Sequence, residues 1–180
     1  IPEGAFMGTS AVAPSLTQLR DWNAREQVVR DAGGVALPPD PQDAVPASGP
    51  AARDGLRTIP PRENGGNIDA RQLTSGAKLY LPVAVDGALF STGDAHYAQG
   101  DSECCITAIE MGATVELSLR IHAGRAAAEG IRFPRFAHPG YFIAPQWAAP
   151  RNFIATTGMP IRADGSNDGE NVTLAAENAL

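Results

Sequence analysis

The sequence predicts a mainly β protein, an antiparallel sandwich or barrel with a few peripheral helices. Three observations carry this. Gly (19) and Pro (15) together make 34 of 180 residues, about 19% against a usual ~12%, which favours short strands and long loops. Apolar residues alternate with others at Leu79, Leu81, Val83 and Val85, and again at Val115, Leu117, Leu119 and Ile121, the period of a strand. Helical spacing is confined to one stretch after Ser15 and another near the C-terminal end.

Taken in order, residues 1–14 are apolar, small and interrupted by proline, as in a strand or ordered loop. Ser15 with Gln18 is a capping-box pattern. Leu16, Leu19, Trp22 and Val29 recur at near-helical spacing, and Gly33-Gly34 supplies a stop. Trp22 reads as a packing anchor. Residues 35–62 hold seven prolines and no period, a long loop or insertion. Strands are expected at 78–85 and 88–92, the latter after an Asp86-Gly87 hairpin turn. Residues 94–103 read as a polar loop. Further strands are expected at 104–111, 115–121, 139–147 and 152–157. Residues 163–169 form a turn, and 170–180 begin an Ala-rich helix.

Composition narrows the function. The chain is 43% hydrophobic and 19% charged, with net charge -6, and its basic residues are scattered, so no nucleic-acid footprint is present. No run approaches the ~18 apolar residues of a membrane span. Cys104 and Cys105 are adjacent and poorly placed to bond to each other, which fits a reducing, cytoplasmic compartment. The chain opens on Ile1-Pro2 and stops at Leu180 within a helical run, and it reads as an internal portion of a longer polypeptide.

Two polar clusters carry candidate chemistry. In Glu63-Asn64-Gly65-Gly66-Asn67-Ile68-Asp69, two glycines let the backbone turn and present N–H groups among two amides and two carboxylates. The alternative is an Asx-rich turn bonding its own backbone. The second cluster runs from Gly93 to Glu103. Asp94 and His96 are two apart, so an extended backbone puts both on one side. Imidazole nitrogen with carboxylate oxygen suits a divalent cation. Asp101 and Glu103 repeat the spacing, and a carboxylate there can serve as general base. The alternative is a solvated acidic loop. Glu110, in an apolar strand, is a secondary candidate needing a partner or a raised pKa. His122 and His138 read as surface or capping residues. The cysteines read as inert unless a base sits beside them.

RTIPPRENGGNID (57–69), LYLPVAVDGALFSTGDAHYAQGDSE (79–103), TAIEM (107–111) and the opening PEGAFMGTSAVAPS (2–15) resemble the acetamidase/formamidase family. NVTLAAENAL (171–180) is similar to the start of a family helix. The resemblance implies longer chains, a mainly β fold, homo-oligomers, and hydrolysis of short amides or lactams with release of ammonia. It also implies a divalent metal, zinc, in some members. Its motifs carry over Asn64, Asn67 and Asp69 from the first cluster, and Asp94, His96, Gln99, Asp101 and Glu103 from the second. One departure stands out: Ser102 replaces a common glycine, and the single cysteine that follows is doubled.

The expectation is therefore a metal-assisted amidase acting on a small amide. Asp69, Asp94 and His96 would hold the metal. Glu103 would act as general base. Asn67, or N–H groups near Gly65 and Gly66, would stabilise the oxyanion. Asp101 is grouped with the catalytic residues, and Asn64, Gly65, Gly66 and Gln99 with substrate binding. Two alternatives stand beside it: a metal-free amidase or lactamase using Glu103 and a cysteine, and a non-catalytic β-sandwich that binds a ligand or partner.

Overall fold

A computed structural model describes residues 4–39, 46–49, 52, 56–104, 106–139 and 153–180. Its strands form two antiparallel sheets, neither closed into a barrel. The first has four strands in the order β2-β1-β4-β5: β1 (Phe6–Ala11), β2 (Gly65–Asn67), β4 (Ser91–Ala98) and β5 (Ile109–Met111). The second has the order β3-β6-β7: β3 (Lys78–Tyr80), β6 (Arg135–His138) and β7 (Phe153–Thr156). Helices α1 (Leu16–Asp31), α2 (Arg125–Ala128) and α3 (Val172–Ala179) accompany them.

Strand β1 is the centre of the first sheet. Phe6 sits opposite His96, Thr9 opposite both Gly93 and Asn67, and Ala11 opposite both Ser91 and Gly65. Phe6 and Ala11 on β1, Val12 just after it and Ala95 on the neighbouring β4 are buried. A segment expected as strand or loop is thus a paired strand. It pairs with β4 from Phe6 to Ala11 and with β2 from Thr9 to Ala11, which occupies backbone donors and acceptors on both edges there.

Helix α1 has the expected termini. Ser15 Oγ accepts from Gln18 N–H at 3.2 Å, and Gln18 Oε1 accepts from Ser15 N–H at 2.9 Å. At the other end Gly33 takes φ +82°, and the N–H groups of Gly33 and Gly34 reach the carbonyls of Arg30 and Val29, a Schellman closure that glycine permits without strain. The buried face is not the expected apolar stripe. Trp22, Arg25 and Glu26 are buried, while Leu16 and Val28 are exposed. Paired charges take the place of an aliphatic seam.

Several boundaries differ from the sequence pattern. The strand expected at 88–92 instead runs from Ser91 to Ala98, so Asp94 and His96 lie on a strand rather than in a loop. The 104–111 strand begins only at Ile109, after a 3₁₀ turn at Asp101–Glu103. The 78–85 strand ends at Tyr80. Residues 115–121 pair with no strand among the described residues, and Leu117, Leu119 and Ile121 are exposed. Alternation marks a backbone able to lie flat, but a strand exists only where a neighbour supplies hydrogen bonds. The candidate strand at 139–147 and the loop positions 40–45, 50–51 and 53–55 fall outside the described residues, apart from Pro139.

The C-terminal helix docks locally. Asn171 Oδ1 accepts from Leu174 N–H at 2.9 Å, an N-cap. Asn178 Nδ2 donates to the carbonyls of Met159 and Ile161 at 2.6 and 2.8 Å. No helix of the described residues is long and apolar enough to cross a membrane.

Candidate active site

The two polar clusters meet across β1. Its Gly8 carbonyl accepts from the N–H groups of Ile68 and Asp69 at 2.9 and 3.1 Å, which draws the first cluster onto the sheet. Gly8 also explains how the site fits. A Cβ there would lie 2.5 Å from Asp69 Oδ1, 2.5 Å from Asp94 Oδ2 and 2.9 Å from His96 Cε1. Glycine in a strand interior often marks such a close approach. Next to it, Thr9 Oγ1 lies 2.7 Å from Asn67 Oδ1 and 3.3 Å from Asp94 Oδ2. Asn67 Nδ2 donates in turn to Asp69 Oδ2.

His96 is the centre, 1% exposed, with the ring of Phe6 edge-on at 5.0 Å between centroids. Its Nε2 faces carboxylate oxygens of Asp94 at 3.1 Å, Glu110 at 3.4 Å and Asp69 at 3.8 Å. Its Nδ1 lies 2.7 Å from Gln99 Oε1. Gln99 Nε2 donates to the Asp69 carbonyl at 2.7 Å. Glu110 arrives through sheet register, directly opposite His96 on β5.

Two groups able to hold a cation share His96: Asp69–His96–Glu103 and Asp94–His96–Glu110. Within each, the ligand atoms lie within 4.8 Å of one another. The three expected metal residues are therefore together, each aspartate joined by a glutamate. Asp69 Oδ1 is buried and has no hydrogen-bond donor among the described residues. Its neighbour Glu103 is also a carboxyl, so a bond between the two requires a proton on one of them. Burial, this contact with Glu103 and the charges of Glu103 and Asp94 push Asp69 from the usual 3.8 to about 6, opposed by His96. Burial disfavours the charged form of His96. The Gln99 hydrogen bond and the Asp94 and Glu110 carboxylates outweigh it and raise its pKa above 6.5.

Backbone strain gathers in the same place. Asp69, Asp94, Ser102 and Glu103 hold φ between +45° and +71°, a region costing non-glycine residues about 1 kcal/mol or more. At Ser102, the position of the departure from the family pattern, φ is +71°. Glycine adopts that conformation freely.

The other expected residues are placed differently. Asn64 is buried, its Nδ2 donating to the Val12 carbonyl at 2.7 Å. Gly65 packs against the Ser10 carbonyl, and its N–H donates to Arg62 O. Gly66 pairs with Ser10 on β1. Asp101 is mostly exposed, beside Arg71 and Gln72. Cys104 is exposed, and Cys105 falls outside the described residues. Glu63 turns away to pair with Arg25. Sequence spacing pointed to neither Gly8 nor Thr9. The signal available was a glycine within a short apolar run.

The profile of the Acetamidase/Formamidase family matches residues 1–180. The chain belongs to that family. It is 36% identical to an acetamidase from Mycolicibacterium smegmatis, over 96% of this chain and 45% of the relative. It is 37% identical to a formamidase from Methylophilus methylotrophus, over 96% and 44%. Among solved structures, a gamma lactamase from Delftia acidovorans superposes with a TM-score of 0.67 at 32% identity, over 95% of this chain and 44% of that one. This acetamidase/formamidase-family chain thus spans less than half the length of the curated relatives it matches.

Proposed function

We propose that this chain carries the catalytic centre of a cytoplasmic, homo-oligomeric amidase. It hydrolyses the linear C–N bond of a short aliphatic amide, adding water to give a carboxylate and ammonia. The names of the relatives support the reaction class: acetamidase, formamidase and gamma lactamase.

One observation supports metal assistance. The buried Nε2 of His96 faces three carboxylates, and a buried oxygen of Asp69 has no donor among the described residues. Lone pairs and negative charges converge there, and a proton or a cation among them would relieve their repulsion. The donor set of one imidazole nitrogen and carboxylate oxygens suits zinc. Asp69, Asp94 and His96 would hold it, with Glu103 and Glu110 in reach. Zinc would supply a polarised water and a Lewis acid at neutral pH.

The chain's own residues do the rest. Glu103 takes the proton from the attacking water and returns it to the departing nitrogen. Asn67 uses one amide hydrogen to hold Asp69, and we assign the second to the developing oxyanion. Gly8 keeps the floor of the site at backbone level.

The test is ammonia release from formamide, acetamide and a small lactam, with a chelator and with zinc restored. It should be run on this chain and on a longer polypeptide containing it. Chelator-sensitive release restored by zinc is expected. Release that ignores the chelator would shift the mechanism to Glu103 with a cysteine. No release from either polypeptide would leave a binding module.

A further inference from the structure

We infer that Gln99 is a positioning residue, holding His96 in the tautomer and orientation that turn an unprotonated Nε2 toward the carboxylates. The inference deepens the cation reading above and rests on it. An amide's oxygen and nitrogen are interchangeable in outline, so the far end of the side chain must decide between them. Here it does. One end of the amide lies 2.7 Å from the Asp69 backbone carbonyl, which can only accept, so that end is the nitrogen. The oxygen therefore faces His96 Nδ1, also at 2.7 Å. An amide oxygen can only accept, so Nδ1 carries the proton. A neutral ring with its proton on Nδ1 presents a lone pair at Nε2, the atom facing Asp94, Glu110 and Asp69. Fixing a metal-binding imidazole through its other nitrogen is a general device.

The same side chain joins the two clusters. Gln99 reaches across 30 residues to the carbonyl of Asp69, so one amide sets the imidazole and braces the loop carrying a carboxylate. Contact with substrate would require it to release both partners. That is a different role from the substrate contact expected from the motif.

The experiment combines nitrogen-15 NMR of the histidine rings with zinc binding by calorimetry, on wild type, Gln99→Met and Gln99→Glu. The His96 signals are those missing from His96→Ala. In metal-free wild type, a slowly exchanging Nδ1–H is expected. Gln99→Glu should keep this signal, and Gln99→Met should lose it to exchange with water. Zinc should bind wild type through Nε2, and Gln99→Met should weaken zinc about 10- to 100-fold. Gln99→Glu, which retains an acceptor, should stay within about tenfold. A wild-type His96 without a proton on Nδ1 would overturn the inference, and so would Gln99→Met binding zinc as tightly as wild type. Should zinc bind none of the three while the wild-type Nδ1–H persists, the cation reading fails and the positioning role stands. The wild-type signal decides the matter even if Gln99→Met does not fold.

Discussion

Two charged clusters draw on the segment from 57 to 69 and are built on opposite rules: the first is largely buried, whereas in the second His96 is buried and Asp94 and Glu110 are exposed. On the α1 side, Arg25 grips Glu63 through two bonds of 2.6 and 2.9 Å, and Arg62 grips Glu26 at 2.8 and 2.9 Å. Both guanidiniums lie over the Trp22 ring, at 5.8 and 5.9 Å. Arg62 also donates to the carbonyls of Leu37, Arg57 and Pro60. Two positive charges meet two negative ones. On the β1 side, Asp69, Asp94, Glu103 and Glu110 surround a single histidine. Among the described residues, each cluster leaves one buried atom without a hydrogen-bond partner: the donor Arg25 Nε in the first, the acceptor Asp69 Oδ1 in the second. A balanced cluster has its electrostatics satisfied by folding alone, so it reads as a clamp. A cluster with excess like charge retains a demand for a cation or protons, so it reads as a site.

The sharpest way to break this contrast is to remove one member from each side. On the metal-assisted reading proposed above, His96→Ala should lower ammonia release by about 10³-fold or more, because the several kcal/mol that a bound metal would supply is lost. Its urea midpoint should fall modestly, since the carboxylates lose the one imidazole that faces them and a buried ring is removed, but by less than at Arg62. Arg62→Met should do the reverse in kind. It strands Glu26 in the interior and should cost about 3–5 kcal/mol of stability. Arg62→Met combined with Glu26→Leu should recover most of that loss. Equal destabilisation by His96→Ala and Arg62→Met would erase the distinction between site and clamp.

Gly8→Ala should come next in size. Its methyl would crowd two carboxylates and the imidazole, so zinc affinity should fall and stability drop by about 1–3 kcal/mol. Calorimetry and urea unfolding measure the two effects. Full zinc binding by this variant would mean that the floor of the site is not at Gly8.

The pH dependence sharpens the comparison further. Asp69 holds its proton more tightly when folded, at about 6 against 3.8. Its contribution to stability is therefore complete below about pH 4 and lost as pH rises through about 6. His96, held above 6.5, extends the same decline to higher pH. On the proposed reading zinc would take the place of those protons, so the stabilisation it gives should grow across this range. Unfolding midpoints over a pH series, with and without zinc, test the sign; a zinc effect independent of pH would contradict it.

The smallest effect is expected at Ser102. Ser102→Gly should relieve a left-handed backbone and stabilise the chain by about 0.5–1 kcal/mol, net of glycine's entropy. A thermal melt would detect this, and destabilisation would show that the serine side chain makes a compensating contact.

Legibility differed between the two clusters for a physical reason. Asp94 and His96 were readable because two-residue spacing on an extended chain is a local property. Asp69 and Glu103 were readable as carboxylates of the two polar clusters, and the family resemblance carried both over. In the first cluster, Asn64 and Gly65 look like ligand-binding groups by composition. In the fold the Asn64 side chain and the Gly65 N–H donate to the Val12 and Arg62 carbonyls. Glu110 was noticed as an odd carboxylate in an apolar stretch, but its partner was invisible until β5 was set against β4. Trp22 was readable as an anchor, whereas the arginines packed on it were not.

By itself the sequence determined the interactions that close within a few residues. These are the Ser15–Gln18 box, the Gly33-Gly34 stop, the sidedness of Asp94 and His96, and a mainly β chain with long loops. Only the tertiary structure decided what those pieces enclose. Thr9 meets Asn67 across 58 residues and Asp94 across 85. Contacts that distant are chosen by the register of β1 between β2 and β4, and register depends on all three strands at once. That same register places the missing side chain of Gly8 beneath two carboxylates and an imidazole.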